Sequence, residues 1–158
     1  KIDVSTNSIV ETYEVGLGPQ SLVMENDDVY VARTFYDENW VAFHGSSKIS
    51  QSEITMKNYG VGTACGGSMM KYNSEVYRSF DGGIATLDFE LNINTASKIG
   101  SYDQSQVYST EVIGDYIYFG ITNYVDVNQV RIMDFNNNEI GTYDVGISPG
   151  DFAIWRSE

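Results

Sequence analysis

One short pattern occurs three times and constrains the fold more than anything else in the chain. The run from Ser21 to Ala32 (SLVMENDDVYVA) aligns without a gap with Ser68 to Ser79 (SMMKYNSEVYRS) and with Ser109 to Gly120 (STEVIGDYIYFG), so the copies begin 47 and 41 residues apart. Each copy reads as a strand, a polar turn (Asn26-Asp27, Asn73-Ser74, Gly114-Asp115) and a second strand entered through Val-Tyr or Ile-Tyr. Apolar residues alternating about a two-residue polar turn are the signature of a β-hairpin. A second element recurs between the hairpins. Ile2-Asp3-Val4, Leu87-Asp88-Phe89 and Met133-Asp134-Phe135 each lead into a polar turn and a further strand. In the remaining repeat Phe43-His44-Gly45 is expected to fill this slot, which makes His44 a turn residue capping the backbone through its ring.

The unit is therefore four strands, here A to D, at a period that suits a propeller blade. A is expected near 21–26, B near 28–35, C near 39–45 and D near 49–57, with later strands near 63–72, 75–80, 84–92, 107–113 and 116–122. No helix longer than about two turns is expected, because the apolar residues do not follow a 3.6-residue period. The expected fold is all-β: about four blades of four antiparallel strands in an incomplete ring. Residues 1–20 supply strands C and D of one blade, 21–62, 63–106 and 107–148 are whole blades, and 149–158 is the first strand of another. Such an arc leaves apolar faces and strand edges bare. The polypeptide is thus expected to continue beyond one or both ends, or a second chain to complete the ring.

The Gly16-Leu17-Gly18-Pro19 turn, the inner strand after it and Asp28-Val29-Tyr30-Val31-Ala32 resemble the repeat of YVTN-type β-propellers, and Ile2-Asp3-Val4 with Asn7-Ser8-Ile9-Val10 resembles that family's other hairpin. Ser148-Pro149 repeats the turn, whereas Gly60-Val61-Gly62-Thr63 and Asp103-Gln104-Ser105 depart from it. The resemblance implies a propeller, commonly seven-bladed, exported to the periplasm or cell surface. Members include surface-protein repeats and ligand binders, a cobalamin binder among them. It implies no catalytic residue, since the shared positions serve packing and turns.

Chemistry in the sequence is mostly a matter of exclusion. A net charge of −13 with nine scattered Lys and Arg argues against nucleic acid as a partner. No apolar run reaches the roughly 20 residues of a membrane-spanning helix. No leader is visible, since Lys1 opens directly into strand-like sequence. Cys65 and His44 are the only residues of their kinds, so no intrachain disulfide and no ordinary His/Cys zinc site can be composed, no nearby partner suggests a nucleophile–base pair, and no cofactor is implied. Asp134-Phe135-Asn136-Asn137-Asn138-Glu139 offers oxygens at alternate positions as a calcium loop does, but lacks the Gly and the distal Glu of one. Asp3 and Asp88 open sibling turns, so turn chemistry explains the pattern and no metal is expected. Glu111 and Lys71 on inner strands, with Arg78 where siblings carry Val31 and Phe119, are expected to face a water-filled channel or to find buried partners.

The B–C loops vary most. They hold Tyr36, Asp37 and Trp40 in the first blade, Phe80 and Asp81 in the second, and Tyr124 and Asp126 in the third. Loops on a rigid scaffold carry function, and rings beside carboxylates suit a sugar-like or other small polar ligand, or a protein partner. The expected function is a non-catalytic exported binding or scaffold protein using this loop face. The alternative is the propeller part of an enzyme whose catalytic residues lie outside the segment.

Overall fold

A computed structural model describes residues 1–62, 67–126 and 128–155. All its regular structure among the described residues is antiparallel β, in three four-stranded sheets and one two-stranded hairpin, none of them closed. The hairpin is β1 (Ile2–Asp3) with β2 (Ser8–Ile9). The first sheet runs β3 (Pro19–Glu25), β4 (Asp28–Tyr36), β5 (Ala42–Ser50) and β6 (Glu53–Val61). The second runs β7 (Met69–Tyr72), β8 (Glu75–Phe80), β9 (Gly83–Leu87) and β10 (Ile93–Ile99), and the third β11 (Val107–Ile113), β12 (Tyr116–Ile121), β13 (Asn128–Asp134) and β14 (Glu139–Val145). Every strand pairs with its neighbour in sequence, so each sheet is a simple meander.

The repeated hairpin is real in all three places. Glu25 pairs with Asp28, Tyr72 with Glu75 and Ile113 with Tyr116, leaving two-residue turns at the expected dipeptides. Asn26, Asn73, Ser74 and Gly114 take positive φ there, the backbone that lets a tight turn match the twist of its strands. The second recurring element is also real, and its Asp is a turn cap. Asp88 Oδ1 accepts from the amides of Glu90 and Asn92 at 2.9 and 2.7 Å, and Asp134 Oδ1 from those of Asn136 and Asn138 at 2.9 Å each. Asn138 Nδ2 also donates to Asp134 Oδ2 at 3.0 Å, which commits both oxygens of the calcium-like loop to the turn itself.

Several placements differ from the sequence reading. His44 is not in a turn: it lies within β5, opposite Thr34 and Gly60, and the C–D turn of this sheet is Gln51-Ser52. The strands of the first sheet are longer, nine residues each in β4, β5 and β6, so the turn falls seven residues beyond the expected slot. C and D accordingly span 42–50 and 53–61 rather than 39–45 and 49–57, and β9 stops at Leu87 where the Asp88 turn begins. Residues 151–155 form no strand; a strand needs a ladder partner, and no described segment supplies one. Cys65 and the opening of the strand expected near 63–72 lie outside the described residues.

The second strand of each sheet is buried on both faces, which stacks the sheets face to face. Between the second and third sheets Met70, Tyr77, Ile84, Ile99, Val107, Ile117, Phe119 and Met133 form one core, and Tyr72 stacks on Phe135 at 3.6 Å. Fully burying a side chain such as Phe119 stabilises by roughly 2 kcal/mol. Between the first and second sheets Tyr30, Ala32, Met69, Val76, Leu87 and Leu91 form another. Arg78 lies inside this second interface, wholly buried, and does not face a channel. Its Nη1 donates to the Gly45 carbonyl at 2.6 Å and to Ser46 Oγ at 3.0 Å, and its Nη2 to the Arg33 carbonyl at 3.4 Å. Burial lowers the Arg78 guanidinium to about 10. Lys71 of β7 pairs with Glu25 of β3.

Burial raises the phenols of Tyr30, Tyr59, Tyr77 and Tyr102. Tyr77, hydrogen-bonded to Glu75 at 3.0 Å, rises to about 12, and Tyr102 is lifted further by its bond to Glu139 at 2.8 Å. An unfolded tyrosine ionises near pH 10. Above that pH the unfolded state holds fewer protons than the folded one, so this stability is whole below about pH 10 and is lost as pH rises toward 12. Arg33, Lys48 and Arg78, lowered by burial, act in the opposite sense and reduce the net loss. The urea midpoint should therefore fall between pH 10 and 12 after a plateau from 7 to 9. A midpoint unchanged to pH 12 would contradict the burial of these phenols.

Candidate functional site

The edge strands β3, β7 and β11 begin beside one another and wall a cavity of about 620 Å³. Corresponding positions of the repeat line it: Gln20-Ser21, Gly67-Ser68 and Tyr108-Ser109, joined by Gly150-Asp151 of the C-terminal segment, which aligns with Gln20-Ser21. Backbone geometry explains two of these placements. Pro19 pairs with Arg33 and Ser21 with Ala32, and Val107 pairs with Ile121 and Ser109 with Gly120, so Gln20 and Tyr108 are the extra residues of β-bulges. A bulge re-aims the side chain it carries. The serines are structural. Ser21 Oγ accepts from the Met69 amide at 2.6 Å and donates to the Gly67 carbonyl at 3.1 Å, tying β3 to β7, and Ser109 Oγ donates to the Pro149 carbonyl at 2.5 Å.

Four aromatic rings border the cavity: Tyr36 at the end of β4, Tyr108, Tyr124 in the β12–β13 loop, and Phe152. Tyr108 and Tyr124 meet edge to face at 6.1 Å, and Tyr118 packs on Phe152 at 5.8 Å. The loop bearing Tyr124 is pinned from beneath. Buried Thr122 donates to buried Asn128 Oδ1 at 2.5 Å and accepts from the Tyr124 amide at 3.0 Å, while Asn123 Oδ1 accepts from the amides of Val125 and Asp126. The polar lining contains two carboxylates, Glu111 and Asp151, and no Lys or Arg. Burial, opposed by the Val112 amide and reinforced by Asp151, raises the Glu111 carboxyl above the ordinary glutamate range. Thr34 and Thr110 also belong to the wall, and the hydroxyl of each is buried without a hydrogen-bond partner among the described residues.

Of the residues expected on the loop face, Tyr36 and Tyr124 reach this cavity. Trp40 lies beside Tyr36 with ring centres 6.3 Å apart, but is 83% exposed and outside the wall. Asp37 is a turn cap, accepting from the amides of Asn39 and Val41 at 2.9 and 2.8 Å. Phe80 ends β8, and Asp81 forms the tight turn after it and pairs with Lys98 at 2.5 Å. Asp126 accepts from Asn123 Nδ2 at 3.2 Å within its own loop. Tyr108, Thr34, Thr110 and Phe152 complete the wall without a distinctive signal in the sequence, and Glu111 signalled only as a charge on an inner strand. No group of three metal-ligating side chains occurs among the described residues, and none of their helices could cross a membrane, the described residues having no helix. No protein-family model matches the chain, and comparison with curated proteins finds no match.

Proposed function

We propose that the three sheets are blades of a β-propeller arc of the YVTN type, from an exported protein, and that the chain is a binding or scaffold module rather than a catalyst. Its ligand would be a small polar molecule taken at the mouth of the central channel. One observation carries this reading: the same two repeat positions, from three inner strands and the C-terminal segment, converge on one cavity. Inner strands that each present their first residues to a common axis are the geometry of a propeller. The chemistry there suits binding, with rings to cover an apolar face and fixed hydroxyls and carboxylates to orient it.

Saturation-transfer NMR with glucose, N-acetylglucosamine, choline and arginine tests this on the whole chain in whatever assembly it forms. At least one probe should receive saturation, and the Tyr108→Ala/Tyr124→Ala double variant should weaken its binding about tenfold or more, as loss of two anchoring rings implies. Silence from all four, or binding indifferent to the double variant, would overturn the reading.

A further inference from the structure

We propose that this cavity selects a cation, specifically an organic ammonium group held among Tyr36, Tyr108 and Tyr124 against the carboxylates of Glu111 and Asp151. This rests on the cavity being the binding site and names the class of ligand it takes.

The argument begins with what the wall lacks. Its charged residues are both acidic, and neither Glu111 nor Asp151 is in an ion pair among the described residues. Glu111 is half-buried, and a ligand settling over it removes more of its water. Covering an unpaired carboxylate with a neutral molecule adds desolvation cost without a compensating charge, and an anion adds repulsion. A cation reverses the sign of both effects. The net charge of −13 adds a long-range field that draws cations toward the surface.

The rings point the same way. An ammonium over a tyrosine face is attracted by the ring quadrupole, more strongly where water is excluded. The edge-to-face contact of Tyr108 with Tyr124 gives two differently oriented aromatic surfaces at one point on the wall.

The experiment compares choline with its uncharged isostere 3,3-dimethyl-1-butanol, and ethylammonium with ethanol, by titration of the whole chain at 0.15 M salt. Each cation should bind at least about tenfold tighter than its neutral partner, and Glu111→Gln should erase most of that difference. Asp81→Asn removes the same charge at a turn outside the cavity and should change cation affinity less than about twofold. Equal binding of cation and isostere, or an effect of Asp81→Asn as large as that of Glu111→Gln, would overturn the assignment. Binding of glucose without either cation would overturn the cation class and leave the site standing. Absence of binding by every probe would remove the site itself.

Discussion

Gly82→Ala should destabilise the chain by at least about 3 kcal/mol, a large part of the 5–15 kcal/mol that holds a domain of this size together. Gly82 follows Asp81 in the two-residue turn between β8 and β9 and has φ +72°. Its carbonyl accepts from the Tyr102 amide at 2.9 Å, so the connection leaving β10 lies directly on the turn. A Cβ at Gly82 would stand 1.7 Å from the Tyr102 carbonyl oxygen and 2.7 Å from its carbon, both backbone atoms that cannot rotate away. Either the turn opens or the connection lifts, and Tyr102 then leaves its edge contact with Phe119 in the core. Gly114→Ala separates this clash from backbone strain. Gly114 has φ +62° in the turn between β11 and β12, and nothing lies within 4 Å of its added Cβ. Its cost should be the left-handed strain alone, about 1 kcal/mol. Denaturant midpoints of the two variants check the contrast, and similar losses would mean that Tyr102 does not press on the turn. Gly18→Ala should resemble Gly82→Ala, with the Thr34 carbonyl oxygen 1.8 Å from the new carbon.

These contacts mark the boundary of what the sequence can say. The turns at Asn26-Asp27, Asn73-Ser74 and Gly114-Asp115 were legible because the demand for positive φ acts on the turn residues themselves. Residues far apart in sequence were less so. His44 was misplaced because Phe43-His44-Gly45 imitates the apolar–polar entry to a turn, whereas strand length, set by pairing with Thr34 and Gly60, carries β5 through it. Arg78 read as a possible channel residue because its partners, the carbonyls of Gly45 and Arg33 and the Ser46 hydroxyl, belong to another sheet and carry no charge to signal it. In the cavity, Tyr36 and Tyr124 were legible as variable loop aromatics. Tyr108 was not: it stands where its siblings are Gln20 and Gly67, and only the bulge before Ser109 explains its place on the wall. Asp37, Asp81 and Asp126 drew notice as carboxylates beside rings, and the structure adds that one oxygen of each is engaged by a turn, a lysine or its own loop.

The chain should associate in solution through the open face of its first sheet. The repeat supplies its own control for this expectation. Leu22, Met69 and Thr110 occupy one position in the first strand of their sheets and are 63%, 5% and 2% exposed. In β7 and β11 that position is covered by the preceding four-stranded sheet; in β3 the preceding element is the short β1–β2 hairpin. Met24, two residues on, is also exposed, and an apolar cavity of about 900 Å³ lies between the hairpin and the sheet, walled by Ile2, Ile9, Leu22, Met24, Val29 and Val31. At about 25 cal/mol per Å², covering such a face is strongly favourable. The opposite end carries a different apolar surface in Ile154 and Trp155, so contacts between copies would be head to tail rather than between like faces. Sedimentation should show species heavier than the 17.6 kDa chain, growing with concentration. Leu22→Lys/Met24→Lys places two charges where the contact would be buried, and should weaken association at least tenfold while leaving the far-ultraviolet β signal intact. A wild-type chain that sediments as a compact 17.6 kDa monomer at every concentration would show that this face needs no cover, and the reading of the three sheets as blades of an open propeller arc would fall with it.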